Sequence, residues 1–158
     1  MLPSRFLTTD KVVTRAELHS KKRLLEYVAE LFAKDNQSLL ANDIFDKLVE
    51  RERLGSTGLG KGIALPHARI DGLLEASAVF IKLPAPVDFD ATDSKPVDLV
   101  VALLVPMEAN NEHLKILAGL ASFFYVDSNC DKLRQTDDKQ ELVDLLTDSI
   151  KSSLDSAN

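Results

Sequence analysis

Residues 51–67 read RERLGSTGLGKGIALPH, and the predicted fold depends on the change from helix to strand within them. Four of the six glycines of the chain lie in the middle of this stretch. Glycine at such density loses too much backbone entropy for regular structure, so residues 55–62 are predicted to form an irregular loop. The loop follows a predicted helix over residues 40–52, and a short strand over residues 63–65 leaves it and ends at Pro66-His67. The stretch therefore indicates a chain in which helices alternate with strands.

Further helices and strands are predicted on both sides of this stretch. Residues 97–105 form a nearly continuous apolar run, which is typical of a strand covered on both faces. A helix with Ser20 as its N-cap carries apolar residues at helical spacing as far as Lys34. The remaining predicted elements are a strand over residues 76–83, a helix from Asn110 or Asn111 to Phe124, and two short helices near residues 129–135 and 138–150. This order predicts an α/β fold, a single domain with a central mixed β-sheet and α-helices packed on both faces.

The composition excludes several classes of protein. At 158 residues the chain has the length of one domain, and its formal net charge of −6 disfavours nucleic acid as the main partner. The longest apolar run is far shorter than a bilayer span, so no membrane insertion is expected. A single cysteine, Cys130, excludes an internal disulfide, and the N-terminus lacks the apolar core of a signal peptide. These features predict a cytoplasmic protein.

Residues 55–61 satisfy the pattern G-x-x-x-x-G-K of nucleotide-binding phosphate loops. The next residue, however, is Gly62, where such loops carry the serine or threonine that binds magnesium. The stretch also joins a helix to a strand, whereas a phosphate loop joins a strand to a helix. The spacing of its glycines does not fit the dinucleotide-binding pattern G-x-G-x-x-G. No nucleotide-dependent activity is therefore expected. A surface turn and a backbone site for an anion both remain open, because glycines let backbone amides approach an anion closely.

The chain contains three histidines, His19, His67 and His113. Their spacing matches no metal-binding motif, so no metal is expected. His19 precedes a polar helix start and is expected to be solvated. His67 follows Pro66 at the predicted end of a strand, where ligand sites of α/β sheets collect, and His113 lies in the first turn of a predicted helix. Either of these two histidines could also be structural or merely exposed.

Arg51 closes the helix that precedes the glycine loop. Alone it is an ordinary cation at a helix C-terminus, and Glu52 and Arg53 are expected to form a solvated, charged helix end. Two histidines, an arginine and a glycine loop together suit phosphoryl handling, because an imidazole nitrogen can attack phosphorus while cationic or N–H groups stabilise its oxygens. Residue types alone do not establish that these parts meet in space.

The whole segment 51–67 resembles the signature R-E-x-x-G-S-T-G-x-G-x-G-I-A-x-P-H of the mannitol/fructose-type enzyme IIA domains of the bacterial phosphotransferase system. Among these domains it most resembles the nitrogen-regulatory IIA proteins. The likeness continues at Ser20-Lys-Lys-Arg, Phe89-Asp-Ala, Pro96 to Pro106 and His113-Leu. It covers roughly residues 8–150, which are expected to form the enzyme IIA domain, with residues 1–7 and 151–158 as flexible termini.

The resemblance implies a role for each candidate site residue. His67 matches the phosphorylated nucleophile, His113 matches a histidine that donates a hydrogen bond to the phosphoryl group, and Arg51 matches the arginine that stabilises its charge. The loop residues expected to contribute to binding are Gly55, Ser56, Thr57, Gly58, Gly60 and Gly62. One departure from the family is Ala68-Arg69, which replaces the more frequent Gly-Lys or Gly-Arg after the histidine.

In that family the phosphoryl group originates in phosphoenolpyruvate and arrives from an HPr-like phosphocarrier protein, called NPr in the nitrogen branch, without nucleotide, metal or other cofactor. Two functions follow as expectations. The first is a phosphoryl carrier that regulates target proteins by its phosphorylation state, and the likeness in the glycine loop and in residues 96–106 favours it. The alternative is a sugar-uptake component that passes phosphate to a IIB domain of a fructose/mannitol-type permease. A weaker third possibility is an anion-binding domain without covalent chemistry.

Overall fold

The computed structural model describes residues 2–108 and 111–155. The helices within these residues are a 3-10 helix at Thr9–Lys11, α1 at Lys21–Asp35, α2 at Ala41–Arg53, α3 at Asn111–Tyr125, α4 at Asp127–Gln135 and α5 at Lys139–Asp155. The strands are β1 at Val12–Val13, β2 at Gly58–Gly60, β3 at Ile63–Ala64, β4 at His67–Ile70, β5 at Ser77–Val87 and β6 at Val97–Pro106. The predicted start of α3 at Asn111 is confirmed, and Asn110, the alternative, lies outside the described residues.

The strands form one mixed sheet in the order β1-β5-β6-β3-β2, with β4 also paired to β6. The long hairpin of β5 and β6 is antiparallel, whereas β1 runs parallel to β5, and both β3 and β4 run parallel to β6. Because β6 pairs on both sides, it lies at the centre of the sheet. The predicted mixed sheet is therefore confirmed.

Helices cover both faces of the sheet, and β6 shows why. Leu99, Leu103 and the residues that alternate with them along one face pack against α3, α4 and α5. Val100, Leu104 and the residues on the opposite face pack against α1 and α2. Such alternation is the period-2 geometry of a strand, and fully burying a leucine stabilises the fold by about 1.5–3 kcal/mol. The apolar run of β6 is thus covered on both sides, which confirms the predicted α/β class.

The strand predicted to end at Pro66-His67 continues beyond it. Ile63 pairs with Leu99 and His67 pairs with Leu103, so β3 and β4 keep one register along β6. Pro66 has no N–H to donate, which interrupts the strand, but its carbonyl still accepts a hydrogen bond of 2.9 Å from the backbone N–H of Leu103. His67 is therefore the first residue of a new strand segment rather than the residue that follows a strand.

The glycine loop is more regular than predicted. Gly58–Gly60 forms β2, which pairs antiparallel with β3. A Cβ atom on Gly58 would lie 2.7 Å from the Cβ of Ala91, so glycine is required there for close packing. The sheet edge offered by β3 thus orders a segment whose composition alone disfavours a strand.

The other differences from the prediction concern the strands, whereas the start of α1 agrees with it. Both β1 and β4 were missed, and β5 continues past residue 83 to Val87, which pairs with Val97 after a register shift. The N-cap of α1 is confirmed, since the Ser20 hydroxyl oxygen accepts a hydrogen bond of 3.1 Å from the backbone N–H of Arg23. Near the two ends of the described residues, Phe6 and Leu7 are buried and α5 ends at Asp155, while flexibility of residues 1–7 and 151–158 stays a prediction. No helix in the described part of the chain is long and apolar enough to cross a bilayer.

Candidate active site

A cleft of about 400 Å³ lies where the C-terminal end of α2, the strand β4 and the first turns of α3 meet. Arg51, His67 and His113 all line it. Its apolar wall includes Leu103, Val105 and Leu117. Three residues that are far apart in the sequence are thus brought to one cleft by the sheet and its flanking helices.

His67 is half-buried, and its ring is held by two neighbours. The Nδ1 atom lies 2.9 Å from the carbonyl oxygen of Leu65, which can only accept, so Nδ1 carries the proton and donates. The Nε–H of Arg51 donates to Nε2 of His67 over 3.4 Å. These contacts define a neutral imidazole with its proton on Nδ1 and its lone pair on Nε2.

The electrostatic environment of His67 favours the same neutral form. Burial of the ring is the main cause that lowers the pKa of His67 below its ordinary value, and the Arg51 cation lowers it further. The hydrogen bond to Leu65 and the more distant Glu52 charge act in the opposite direction without reversing the shift. A neutral imidazole with a free nitrogen lone pair is the form that acts as a nucleophile.

Arg51 lies in the last turn of α2 with its guanidinium held at two points. Besides the contact with His67, one Nη donates a hydrogen bond of 2.9 Å to the carbonyl oxygen of Gly55. The guanidinium stays protonated at any working pH and presents several N–H donors in a fixed plane, which matches the geometry of phosphate oxygens. The arrangement therefore places a permanent cation beside the nucleophilic nitrogen.

His113 is the third residue of α3 and is half-buried. It lines the same cleft as His67, next to the exposed Leu114. The strands β4 and β6 run parallel, with His67 paired to Leu103, so β6 ends at Pro106 near His67. The helix α3, which begins at Asn111, therefore starts close to His67. His113 and His67 thus approach one cleft from two elements.

Glu52 is not the solvated residue that was predicted, whereas Arg53 is exposed as expected. The side chain of Glu52 is only 5% exposed and forms an ion pair of 2.9 Å with Lys21. Its carboxylate also accepts hydrogen bonds from the backbone N–H of Thr57, at 3.2 Å, and from the Thr57 hydroxyl. The sequence pattern of a carboxylate at a helix end does not indicate burial. The one signal available is Thr57, five residues later, whose hydroxyl can donate a hydrogen bond to the Glu52 carboxylate.

The predicted loop residues do not line the cleft. Among the described residues that form the cleft wall, none falls between residues 55 and 62. Ser56 donates through its hydroxyl to the carbonyl of Phe89 at 2.9 Å and accepts from the N–H of Gly58 at 3.0 Å. Gly60 and Gly62 have positive φ angles of 93° and 82°, which a residue with a side chain rarely adopts. A direct role of these residues in binding stays a prediction.

The cleft thus combines a neutral imidazole, a fixed cation, a second histidine and an apolar wall. Nowhere in residues 2–108 and 111–155 do three or more histidine, cysteine, aspartate or glutamate side chains form a group that could hold a metal ion. The arrangement suits a covalent transfer of an anionic group to a histidine nitrogen, with the charge of that group balanced by the guanidinium.

Comparison with known proteins gives a consistent family. The family model described as "Phosphoenolpyruvate-dependent sugar phosphotransferase system, EIIA 2" matches residues 5–149. A nitrogen regulatory protein of Pseudomonas aeruginosa is 41% identical over 144 residues, which cover 91% of this chain and 94% of that protein. A fructose-specific EIIA component of Haloferax volcanii is 30% identical over 132 residues, covering 84% of this chain and 86% of that protein.

A solved structure shows the same fold. The nitrogen regulatory protein IIA-Ntr of Neisseria meningitidis superposes with a TM-score of 0.86 at 42% sequence identity. The match covers 89% of this chain and 96% of that one. The likeness therefore extends over most of the chain rather than over the cleft alone.

Proposed function

The chain belongs to the EIIA 2 family of the phosphoenolpyruvate-dependent sugar phosphotransferase system, and we propose that it is a regulatory phosphoryl carrier that is phosphorylated on His67. An HPr-like phosphocarrier of the NPr type supplies the phosphoryl group, which originates in phosphoenolpyruvate. The phosphorylation state then decides which target proteins are bound. The protein works in the cytoplasm.

The single observation that carries this proposal is the hydrogen bonding of the His67 ring. Because Nδ1–H is committed to the carbonyl of Leu65, the lone pair resides on Nε2, beside the Nε–H of Arg51. Nε2 is therefore the acceptor of the phosphoryl group. When the group arrives, Arg51 exchanges its contact with Nε2 for contacts with the phosphoryl oxygens.

The covalent step takes place between the two histidines that exchange the group. The Nε2 lone pair of His67 forms the new P–N bond while the P–N bond of the carrier breaks and returns its electron pair to the carrier imidazole. The positive charge that develops on the His67 ring is stabilised by the Leu65 carbonyl, which accepts from Nδ1–H. Arg51 and a ring N–H of His113 stabilise the negative oxygens of the group in flight.

The rim of the cleft suits a protein as phosphoryl donor. The side chains of Leu54, Met107 and Leu114 are exposed around the site, and together they offer an apolar surface against which a carrier can exclude water. The cations Arg51 and Arg69 line the same cleft and attract a phosphorylated partner.

The choice between regulation and sugar uptake rests on the relatives. The proteins similar at 41% and 42% identity are named nitrogen regulatory proteins, whereas the fructose-specific component is similar at 30%. This ranking favours the regulatory function. A sugar-uptake role would require a IIB domain that accepts phosphate from His67 at a useful rate.

Phosphorylation is tested by incubating the protein with phosphoenolpyruvate, the upstream enzyme and an NPr-type carrier, followed by intact mass spectrometry. We expect one acid-labile phosphoryl group on the wild type and on the control His19→Ala, whose histidine is exposed and outside the cleft. His67→Ala should remain unmodified. The same modification on His67→Ala would contradict the assignment.

Regulation is tested separately by capturing partner proteins with the phosphorylated wild type, the unphosphorylated wild type and His67→Ala. We expect at least one partner whose capture depends on the phosphorylation state. Identical partners in all three samples, together with rapid phosphate transfer to a IIB domain, would favour the sugar-uptake function instead.

A further inference from the structure

Glu52 directly follows Arg51 in the sequence. It is nearly fully buried, does not line the cleft, and is bound by the Lys21 ammonium and by two donors of Thr57. We propose that Glu52 is a positioning residue that sets both Arg51 and His67 for phosphoryl transfer. The inference rests on the function proposed above and names a residue for that same site.

The first connection runs from Glu52 to Arg51. The carboxylate fixes Thr57, which ends the short link from α2 to β2. That link also contains Gly55, whose N–H donates to the backbone carbonyl of Glu52 over 3.1 Å. The Gly55 carbonyl in turn accepts the 2.9 Å hydrogen bond from the guanidinium of Arg51. Fixing Thr57 therefore fixes the acceptor that aims Arg51 at His67.

The second connection runs from Glu52 to the ring of His67. The carbonyl oxygen of Thr57 accepts a hydrogen bond of 3.0 Å from the backbone N–H of Leu65. The carbonyl of Leu65 accepts the proton of His67 Nδ1 at 2.9 Å and so selects the tautomer with a free Nε2. Thr57 is thus held to Glu52 on one side and holds the partner of the nucleophile on the other.

The charge of Glu52 is balanced away from the cleft. Its Oε2 lies 2.9 Å from the Nζ of Lys21, and Lys21 also lies over the ring of Phe89 at 4.6 Å. Because Lys21 balances the carboxylate charge, Glu52 does not compete with the phosphoryl oxygens for the Arg51 guanidinium, whose hydrogen bonds within the described residues go to His67 and Gly55. Removing the carboxylate would leave buried donors of Thr57, which is only 4% exposed, without an acceptor, and the link would have to rearrange.

The test compares transfer rates in Glu52→Ala and Glu52→Gln. A displacement of about 1 Å in catalytic groups costs roughly 10²-fold in rate, so Glu52→Ala should transfer about 10²-fold more slowly at an unchanged carrier KM. Glu52→Gln should recover most of this loss, because its amide oxygen still accepts from Thr57. The matched control is Asp35→Ala, which removes another largely buried carboxylate, 12% exposed and 3.3 Å from the Nζ of buried Lys11, away from the cleft. It should transfer at the wild-type rate.

A second measurement does not depend on phosphate. Nitrogen-15 NMR of the imidazole should find a single Nδ1–H tautomer of His67 in the wild type and in Asp35→Ala, and a mixture of tautomers in Glu52→Ala. If Glu52→Ala does not fold, Thr57→Val replaces it, because this variant removes the hydroxyl that donates to the Glu52 carboxylate. Thr57→Val should show a smaller loss of transfer rate and a smaller population of the second His67 tautomer than expected for Glu52→Ala.

The outcomes separate the two proposals. A wild-type protein that takes no phosphate overturns the proposed function, and the ring tautomers still decide whether Glu52 positions His67. A wild-type rate and tautomer in Glu52→Ala, or in Thr57→Val where that variant replaces it, would overturn the positioning role. So would a loss of rate in Glu52→Ala no larger than that in Asp35→Ala.

Discussion

The glycine loop, residues 55–62, has two parts with different surroundings, which are called its first and second halves here. In the first half, residues 55–57, the hydrogen bonds of Gly55 and Thr57 lead to Arg51 and Glu52 and so to the ring of His67. In the second half, residues 58–62, they lead away from the cleft. The N–H of Lys61 donates to Asp93 over 3.0 Å, and its carbonyl accepts from Arg134 over 2.7 Å.

The second half shows why glycine is needed there for packing. Arg134 donates to both carboxylate oxygens of Asp98 at 2.9 Å, and this pair lies directly against Gly62. A Cβ atom on Gly62 would lie 2.6 Å from atoms of both side chains. The comparison shows that residues of the first half orient groups at the cleft, whereas residues of the second half form the edge strand β2 and pack closely against neighbouring side chains. Substitutions in the first half should change rates, and those in the second should change stability.

Arg51→Ala should have the greatest effect and should act on rate alone. The guanidinium is the fixed cation beside Nε2 of His67, and losing a preorganised charge-stabilising donor slows such reactions by about 10²–10³. Stopped-flow measurement of phosphate transfer from the carrier gives the rate, and urea unfolding gives the stability. Arg53→Ala is the control, since Arg53 is the exposed neighbour at the same helix end. Equal rates in both variants would show that Arg51, to which Gly55 of the first half is hydrogen-bonded, does not act in transfer.

His113→Ala should slow the same step by a smaller factor. His113 lines the cleft from α3 and is expected to provide one N–H donor, so the loss should be near the lower end of the range for a single donor, about 10²-fold. The measurement is again the transfer rate, with KM for the carrier determined separately and His19→Ala as control. A raised KM at an unchanged maximal rate would instead place His113 in carrier docking.

The fold could be predicted where one element carries enough residues to show a period. The run at 97–105 indicated a strand covered on both faces, and the structure has helices on both sides of β6. Strands of two to four residues, such as β1, β2 and β4, are too short for a period to appear. They exist because other strands supply backbone partners: β1 pairs with the distant β5 and β4 with the distant β6, whereas β2 pairs with β3, which follows it directly.

The site could be predicted as a set of residues but not as an arrangement. Arg51, His67 and His113 were singled out, and the structure brings them to one cleft. The burial of Glu52 could not be predicted, because it depends on Lys21, which lies in another helix and supplies the counter-charge. The division of the glycine stretch depends likewise on Arg134, which comes from α4 near the end of the chain.

Gly58→Ala should lower stability and leave the transfer rate unchanged. Its added methyl group would lie 2.7 Å from the Cβ and 2.9 Å from the Cα of Ala91, and overpacking of this kind costs about 1–3 kcal/mol. Urea unfolding measures the loss, and Leu59→Ala, at the partly exposed neighbouring position, should lose less. A Gly58→Ala protein of normal stability that transfers phosphate slowly would place the second half at the active site after all.

The last prediction concerns the pH dependence of stability and compares His67, to which the hydrogen bonds of the first half lead, with Gly58 of the second half; the expected effect is small. Burial lowers the pKa of His67 below its ordinary value of 6.5, so the unfolded chain binds a proton at this residue more readily than the folded protein does. The free energy of unfolding therefore rises with pH between the pKa of His67 in the folded protein and 6.5. The stability that His67 contributes is fully present above pH 6.5 and is lost as the pH falls through the pKa of the folded protein. His67→Gln should flatten this part of the profile, whereas Gly58→Ala, in the second half, should shift the whole profile down without changing its slope. The free energy of unfolding measured by urea across the window gives both results, and NMR titration of the ring carbons gives the His67 pKa directly. A slope unchanged in His67→Gln, or a ring that titrates at or above 6.5, would show that the cleft does not hold the imidazole neutral.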